Sequence, residues 1–267
     1  MVNDRFSRQS FLGPTSQERI ASTVIGLAGL GGGGSHFAQQ LAHIGFQNYV
    51  IYDDDVVEDS NLNRLVGATT FDAKAAFPKL YSAQRMIYGL QPDANVVPIK
   101  NRWQSDPDPL KSCHIVFGGV DTIAGRAELE VFCRRYLINY IDIGMDVYGT
   151  NPPVIAGQVI LSSPRGPCMR CMDFINEGTL GKEAARYGNA GGRPQVIWAN
   201  GVLASTAIGI AIDLITDWTG QGRTHEYLAY DGNAGTMKTH RNILGKTFEP
   251  CPHFPLDQVG DPFFEEI

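Results

Sequence analysis

Residues 26–37 read GLAGLGGGGSHF, with six glycines in nine residues. No other stretch constrains the fold as strongly. An apolar run over 23–28 precedes it. A helical pattern over 35–45 follows, with Phe37, Leu41 and Ile44 at helical spacing and Gly45 placed as a C-cap. A strand that turns through glycines straight into a helix opens a βαβ unit, and such units are built around a parallel sheet. Gly29-x-Gly31-x-x-Gly34 gives each glycine a task. Gly29 permits the tight turn. Gly31 and Gly32 let backbone N–H groups approach a phosphate with no Cβ in the way. Gly34 lets the helix pack closely. The helix N-terminus favours the anion.

The rest of the chain fits that start. Strand patterns fall at 49–53, 95–100, 114–118 and 140–143, and helical patterns at 79–88 and 125–137. After Pro152 the texture changes. Residues 154–161 read as a strand, GPCMRC as a tight knuckle, and 176–195 as a Gly-rich, polar, mobile loop. A long helix over 196–216 is followed by strands 227–230 and 236–241 flanking the turn DGNAG. The expected fold is α/β: a Rossmann-like, mostly parallel sheet with helices on both faces, extended by antiparallel strands in the C-terminal third. With no convincing linker, 1–267 reads as a single domain. Its nucleotide-binding part covers about 20–150 and its C-terminal part about 151–267.

Bulk properties narrow the class. The net charge of −6 argues against nucleic acid or an anionic membrane as the main partner. The N-terminal MVNDRFSRQSF lacks the apolar core of a signal peptide, and the longest apolar run, VLASTAIGIAIDLI, is short for a membrane span and contains Asp213. A cytoplasmic location is the expectation. Five cysteines are too few and too scattered for a disulfide scaffold.

Asp53 ends the second strand, 24 residues after Gly29, where an acid accepts from ribose hydroxyls. To this point NAD and ATP fit equally well. Residues 52–64, YDDDVVEDSNLNR, tip the balance. A dehydrogenase needs one acid here. This chain has Asp53, Asp54 and Asp55, then Glu58 and Asp59, then Asn61, Asn63 and Arg64, with Lys79 a short loop later in FPK. Arg offers phosphate a forked donor pair, Lys a point charge, and an additional acid can hold Mg²⁺ through oxygen. A solvated acidic loop would explain the aspartates but not the Asn and Arg beside them.

These residues resemble the ThiF/MoeB/HesA family, the bacterial relatives of ubiquitin-activating enzymes. The family pattern is GxGGxG, then DxDxVxxSNLxRQ, then PK, then a DN pair at a later strand end. This chain supplies GLGGGG at 29–34, DDDVVEDSNLNR at 53–64, PK at 78–79 and Asp121 in VFGGVDT. Its opening RFSRQ at 5–9 is similar to the family's RYxRQ, and Gln17-Glu18 match the stretch before the first strand. The resemblance implies an ATP-dependent adenylyltransferase that activates the C-terminal glycine of a small ubiquitin-like or sulfur-carrier (β-grasp) protein as an acyl-adenylate.

The same resemblance implies residue roles. Gly31 and its neighbours cradle the nucleotide and Asp53 binds its ribose. Asn61, Arg64 and Lys79 contact the triphosphate. Asp121 holds Mg²⁺, with Asp55 as a second candidate. Arg8 reaches the phosphates of the neighbouring subunit in a homodimer. Leu65 stands where the family usually has Gln, and Thr122 where it usually has Asn. The variable fifth position of GxGGxG is Gly33, so Gly33→Ala should be tolerated better than Gly31→Ala or Gly32→Ala.

The cysteines raise two questions. The loop 172–195, where related proteins can carry a nucleophilic cysteine, has none, and Cys113 and Cys133 read as small buried residues. Adenylation without an obligatory thioester on this chain is the expectation. Cys168 and Cys171 form CMRC after a Gly-Pro turn, a metal-knuckle spacing. The family completes a structural zinc site with a second CxxC near the C-terminus. Here that place reads CPHF at 251–254, with Cys251 present, Phe254 at the partner position and His253 one residue earlier. Zinc on Cys168, Cys171, Cys251 and His253, no stable zinc, and a redox role for CMRC all stand open. Three other functions compete with protein activation: a tRNA-modifying dehydratase of the same family, an NAD-dependent Rossmann oxidoreductase, and a non-enzymatic scaffold. SNLNR goes unexplained by the oxidoreductase.

Overall fold

The computed structural model describes residues 4–180 and 194–255. The larger part of the expected 176–195 loop, 181–193, therefore lies outside the described residues. Eight strands form one sheet: β1 (Val24–Ala28), β2 (Asn48–Tyr52), β3 (Asn95–Ile99), β4 (Ile115–Gly118), β5 (Asn139–Tyr148), β6 (Val154–Ser162), β7 (His225–Asp231) and β8 (Thr236–Thr239). Their spatial order is β3-β2-β1-β4-β5-β6-β7-β8. β1 to β5 pair in parallel, while β5–β6, β6–β7 and β7–β8 pair antiparallel. The helices are α1 (Ser16–Ser22), α2 (Gly32–Ile44), α3 (Thr70–Lys74), α4 (Lys79–Leu90), α5 (Ile123–Arg135) and α6 (Ile197–Thr216).

Strand alternation divides the core in two. Ile25 and Leu27 of β1, Phe117 of β4 and Ile141 of β5 point to one face, where they join Phe37 and Leu41 of α2 and Leu203 and Ala207 of α6. Val116 and Tyr140 point to the other, where Leu129 and Cys133 of α5 and Met169 and Met172 of the knuckle cover them. Both faces of β1, β2, β4 and the start of β5 are thus buried, which is why they read as near-continuous apolar runs, whereas β3 at the sheet edge is partly exposed.

Three elements depart from expectation. β5 runs five residues beyond 143 because Gly144–Tyr148 pair with β6 in a half-exposed antiparallel ribbon that carries no apolar run. α2 begins at Gly32, three residues early, so the glycines form its first turn. α6 is 20 residues, long and apolar enough to cross a membrane, yet it is mostly buried within the protein. It is a core helix: Asp213 within it accepts from Thr219 and Arg223.

A further contact anchors the excursion between β2 and α4. Thr69 and Asp72 form a capping box at α3, and Arg85 of α4 donates to both Asp72 oxygens at 2.8 and 2.7 Å. The Arg85 guanidinium, aided by Thr69, holds the buried Asp72 carboxyl well below the usual range. A depressed acid contributes stability above its unfolded pKa and loses it as pH falls through the folded value. Asp72→Asn should therefore cost roughly 2 kcal/mol at pH 7. In urea titrations the gap to wild type should narrow progressively below about pH 4. A gap that does not change with pH would contradict the ionised pair.

Candidate functional site

β3, β2 and β1 run one way from the centre of the sheet, and β4 and β5 the other. The strand order thus reverses between β1 and β4, and a crevice opens beyond their C-terminal ends, the usual ligand position in such sheets. Gly29 follows β1 with φ 91°, and its N–H donates to Tyr52 O, while Gly119 N donates to Ala28 O. A side chain at Gly29 would meet the Gly119 carbonyl oxygen at 2.8 Å. The two strand ends therefore touch through glycines. Above them lies a cavity of about 480 Å³, lined by Gly29, Gly31, Gly32, Asp53, Asp55, Arg64, Lys79 and Asp121. Residues far apart in sequence and singled out on separate motifs thus share one cavity.

Local geometry fixes each of them. The Asp53 oxygens accept from the Leu30 and Asp55 N–H groups at 2.6 and 2.9 Å, pinning the glycine loop to the end of β2. Burial pushes the Asp53 carboxyl up, against the pull of these donors and of Lys79. A short antiparallel bridge, Val56 to Pro78, folds the acidic stretch back onto the start of α4, and Lys79 N donates to Asp55 O. That bridge brings Lys79 Nζ to 2.7 Å from Asp55 Oδ2. Arg64 donates through one arm to Ser60 O at 2.8 Å and to Asn63 Oδ1 at 3.0 Å. Thr122 caps α5 by accepting from Gly125 N, a capping task an Asn performs equally. Leu65, in the usual place of a Gln, is buried.

Three expected site residues lie outside the cavity lining. Asn61 is outside the cavity lining: its Oδ1 accepts from Glu58 N, closing a capping box that shapes the SNLNR turn. Gly34 is also outside the lining, held against the glycine-loop backbone. Arg8, exposed on a 3-10 segment, does not line this chain's own cavity.

Sequence reasoning missed several lining residues: Asn101–Gln104 after β3, Arg126 of α5, and Gln195 and Asn200 at the start of α6. Arg126 pairs with Asp142, which is fully buried and also accepts from Tyr140. Burial raises the Asp142 carboxyl to about 6, opposed chiefly by Arg126. A pocket arginine backed by a strand aspartate 16 residues on has no short-range signature.

The cysteine cluster forms apart from this cavity. The ligand atoms of Cys168, Cys171, Cys251 and His253 lie within 4.8 Å of one another. The separations are 3.7 Å for Cys168–Cys171, 3.5 Å for Cys171–Cys251, and 3.5 and 3.4 Å from His253 Nδ1 to Cys168 and Cys171. Tetrahedral zinc with Zn–S bonds of about 2.3 Å requires ligand edges of about 3.5–3.8 Å, so the donor set fits that metal. Phe254 faces away, with the Arg134 guanidinium 5.4 Å from its ring centroid. Arg134 also donates to the Gly166 and Pro167 carbonyls, and Glu130 accepts from Met169 N. One turn of α5 thus shapes the knuckle.

The ThiF family model matches residues 5–252. The chain belongs to the ThiF family. A SAMP-activating enzyme E1 of Haloferax volcanii is 31% identical over 256 residues, 93% of this chain and 87% of that protein. The sulfur carrier protein ThiS adenylyltransferase of Escherichia coli is 28% identical over 175 residues, 63% of this chain and 66% of that protein. Among solved structures, E. coli MccB with ATP superposes with a TM-score of 0.73, covering 89% of this chain and 71% of that one. At 17% identity that likeness concerns the fold. Family membership makes the chain an ATP-dependent adenylyltransferase.

Proposed function

We propose that this ThiF-family enzyme activates the C-terminal glycine carboxylate of a ubiquitin-like or sulfur-carrier protein. The observation that carries the reading is the convergence of the glycine loop, Arg64, Lys79 and Asp121 on one cavity at the sheet's reversal point. A carboxylate is a poor electrophile. Its oxygen attacks the α-phosphorus of ATP, the bond to the β-phosphate bridging oxygen breaks, and pyrophosphate leaves with that electron pair. The product is an acyl-adenylate. No side-chain nucleophile is needed; positioning and charge neutralisation do the work. Arg64 and Lys79 are the cations for the triphosphate. Asp121, with Asp55 as a second oxygen ligand, would hold Mg²⁺, which would offset phosphate charge, and the Lys79–Asp55 pair supports the nearness of Lys79 and Asp55. The glycine loop receives the α-phosphate end of the nucleotide.

Release without a thioester on this chain is supported by the thiols. Cys113 and Cys133 are buried; burial pushes Cys113 up to about 12 and Cys133 well above its ordinary value. Neither is an exposed thiolate. The other three cysteines belong to the cluster with His253, for which zinc is the fitting metal. The continuity of the eight strands in one sheet supports a single domain. Exposed Arg8 suits a homodimer in which it serves the partner's nucleotide. ATP–pyrophosphate exchange tests the reading. Exchange should require a glycine-ended β-grasp partner, and Arg64→Ala should lower it about 100-fold with little change in melting temperature. Exchange independent of any such protein would overturn the substrate class, and unchanged exchange in Arg64→Ala would overturn its role.

A further inference from the structure

The carboxamide of Asn200 is 4% exposed, yet its Nδ2 has no hydrogen-bond partner among the described residues. Buried polar groups are rarely left unpaired, because the desolvation is then uncompensated. This group sits in the first turn of α6 and lines the nucleotide cavity. Its Nδ2 packs directly on Gly32, in the space a side chain at that glycine would take. Gly32 opens α2, whose unpaired first-turn N–H groups favour an anion. Gln195 stands beside it, with Oε1 3.1 Å from the same point, and its carbonyl accepts from Asn63 Nδ2 of the SNLNR turn at 3.3 Å. The start of α6 is thus tied to the SNLNR turn, with the Asn200 amide N–H set against the first residue of α2 at the cavity wall.

We infer that Asn200 is a nucleotide-binding residue, donating its Nδ2 proton to the α-phosphate of ATP alongside the glycine loop. The inference rests on the ATP-dependent reading of the cavity. It gives Gly32 a second purpose: a glycine there makes room for the amide as well as for the phosphate. It also accounts for a buried amide with no acceptor among the described residues, since the nucleotide supplies one.

The test compares wild type, Asn200→Leu, Asn200→Asp and Arg64→Ala. For each, MgATP and AMP affinities are measured by titration calorimetry, and melting temperature is measured without nucleotide. Leu keeps the branched outline, at a larger volume, and removes the orphan donor. Asn200→Leu should raise the melting temperature while weakening both ATP and AMP about tenfold or more, the value of one hydrogen bond to a charged acceptor. Asn200→Asp should weaken both further, by repulsion. Loss of ATP affinity alone, with AMP unchanged, would overturn the assignment to the α-phosphate. Unchanged affinities in Asn200→Leu, with ATP weakened in Arg64→Ala, would overturn the inference and leave the proposed function standing. No MgATP binding by the wild type would overturn both.

Discussion

Gly34→Ala should fail to accumulate as folded protein, whereas Gly31→Ala should fold normally and lose nucleotide binding. An ideal Cβ at Gly34 falls far inside van der Waals distance of the Gly29 carbonyl oxygen. Backbone, unlike a flexible side chain, has nowhere to go. Gly29 is tied by its N–H to Tyr52 O, its φ is 91°, and Gly119 closes its other side. Relieving the clash means lifting α2 off the loop, and α2 carries Phe37 and Leu41 into the core. The cost is about 3 kcal/mol or more, a large share of a domain's net stability. At Gly31 a Cβ meets nothing within 4 Å. Its change in stability should stay within about 0.5 kcal/mol, and the added methyl then occupies space the phosphate needs. Gly33 falls between: a Cβ there clashes with the end of the Ile143 side chain, which can turn aside, and makes an ordinary contact with Asn200 Oδ1. Thermal melts and MgATP titrations of the three variants separate packing from binding. A stable Gly34→Ala, or a Gly31→Ala that binds ATP normally, would show that the two roles have been exchanged.

These three glycines mark what the sequence discloses. GxGGxG located the loop, and strand and helix periodicities located β1, β2, β4 and α2 within a few residues, because burial on both faces leaves an unmistakable apolar run. The division of labour among glycines was not legible, since it depends on Gly29 O and Ile143, atoms placed by tertiary structure. Arg64, Lys79 and Asp121 were named from motifs, but the Val56–Pro78 bridge that sets Lys79 against Asp55 spans 22 residues without a periodic signal. The resemblance gives Asn61 a phosphate contact as part of SNLNR; Asn at a turn serves capping as well, and its oxygen here accepts from Glu58 N. Asn200 and Gln195 escaped altogether. Gln195 ends a Gly-rich, polar stretch and Asn200 follows it; both come to the cavity because α6 packs along α2, where a Cβ at Gly201 would meet the His36 ring at 3.2 Å. β5 beyond 143 was missed for the opposite reason: an exposed ribbon needs no apolar run.

Removing metal should destabilise the segment that carries Cys251 and His253, and the identity of the fourth ligand can be decided by three variants. Metal analysis of purified protein should give about one zinc per chain, the stoichiometry of a closed four-ligand site. Cys171→Ser or prolonged chelation should cost on the order of 5 kcal/mol, since metal affinity here is folding free energy. The family pattern would have placed the fourth ligand at 254. In this chain Phe254 is committed to Arg134, and Arg134 in turn holds the Gly166 and Pro167 carbonyls that open the knuckle. A side chain at 254 is thus turned toward α5, while His253 Nδ1 stands 3.5 and 3.4 Å from two of the cysteine sulfurs. His253→Ala should lose zinc. Adding Phe254→Cys to it restores the CxxC spelling and should not restore the metal, because the backbone at 254 presents its side chain to Arg134. His253→Cys, which keeps the ligand position, should retain zinc, and a cobalt-substituted sample should move from a Cys₃His to a Cys₄ absorption spectrum. Recovery of zinc by Phe254→Cys in the His253→Ala background would mean that sequence spacing, and not the Arg134 contact, governs which residue reaches the metal.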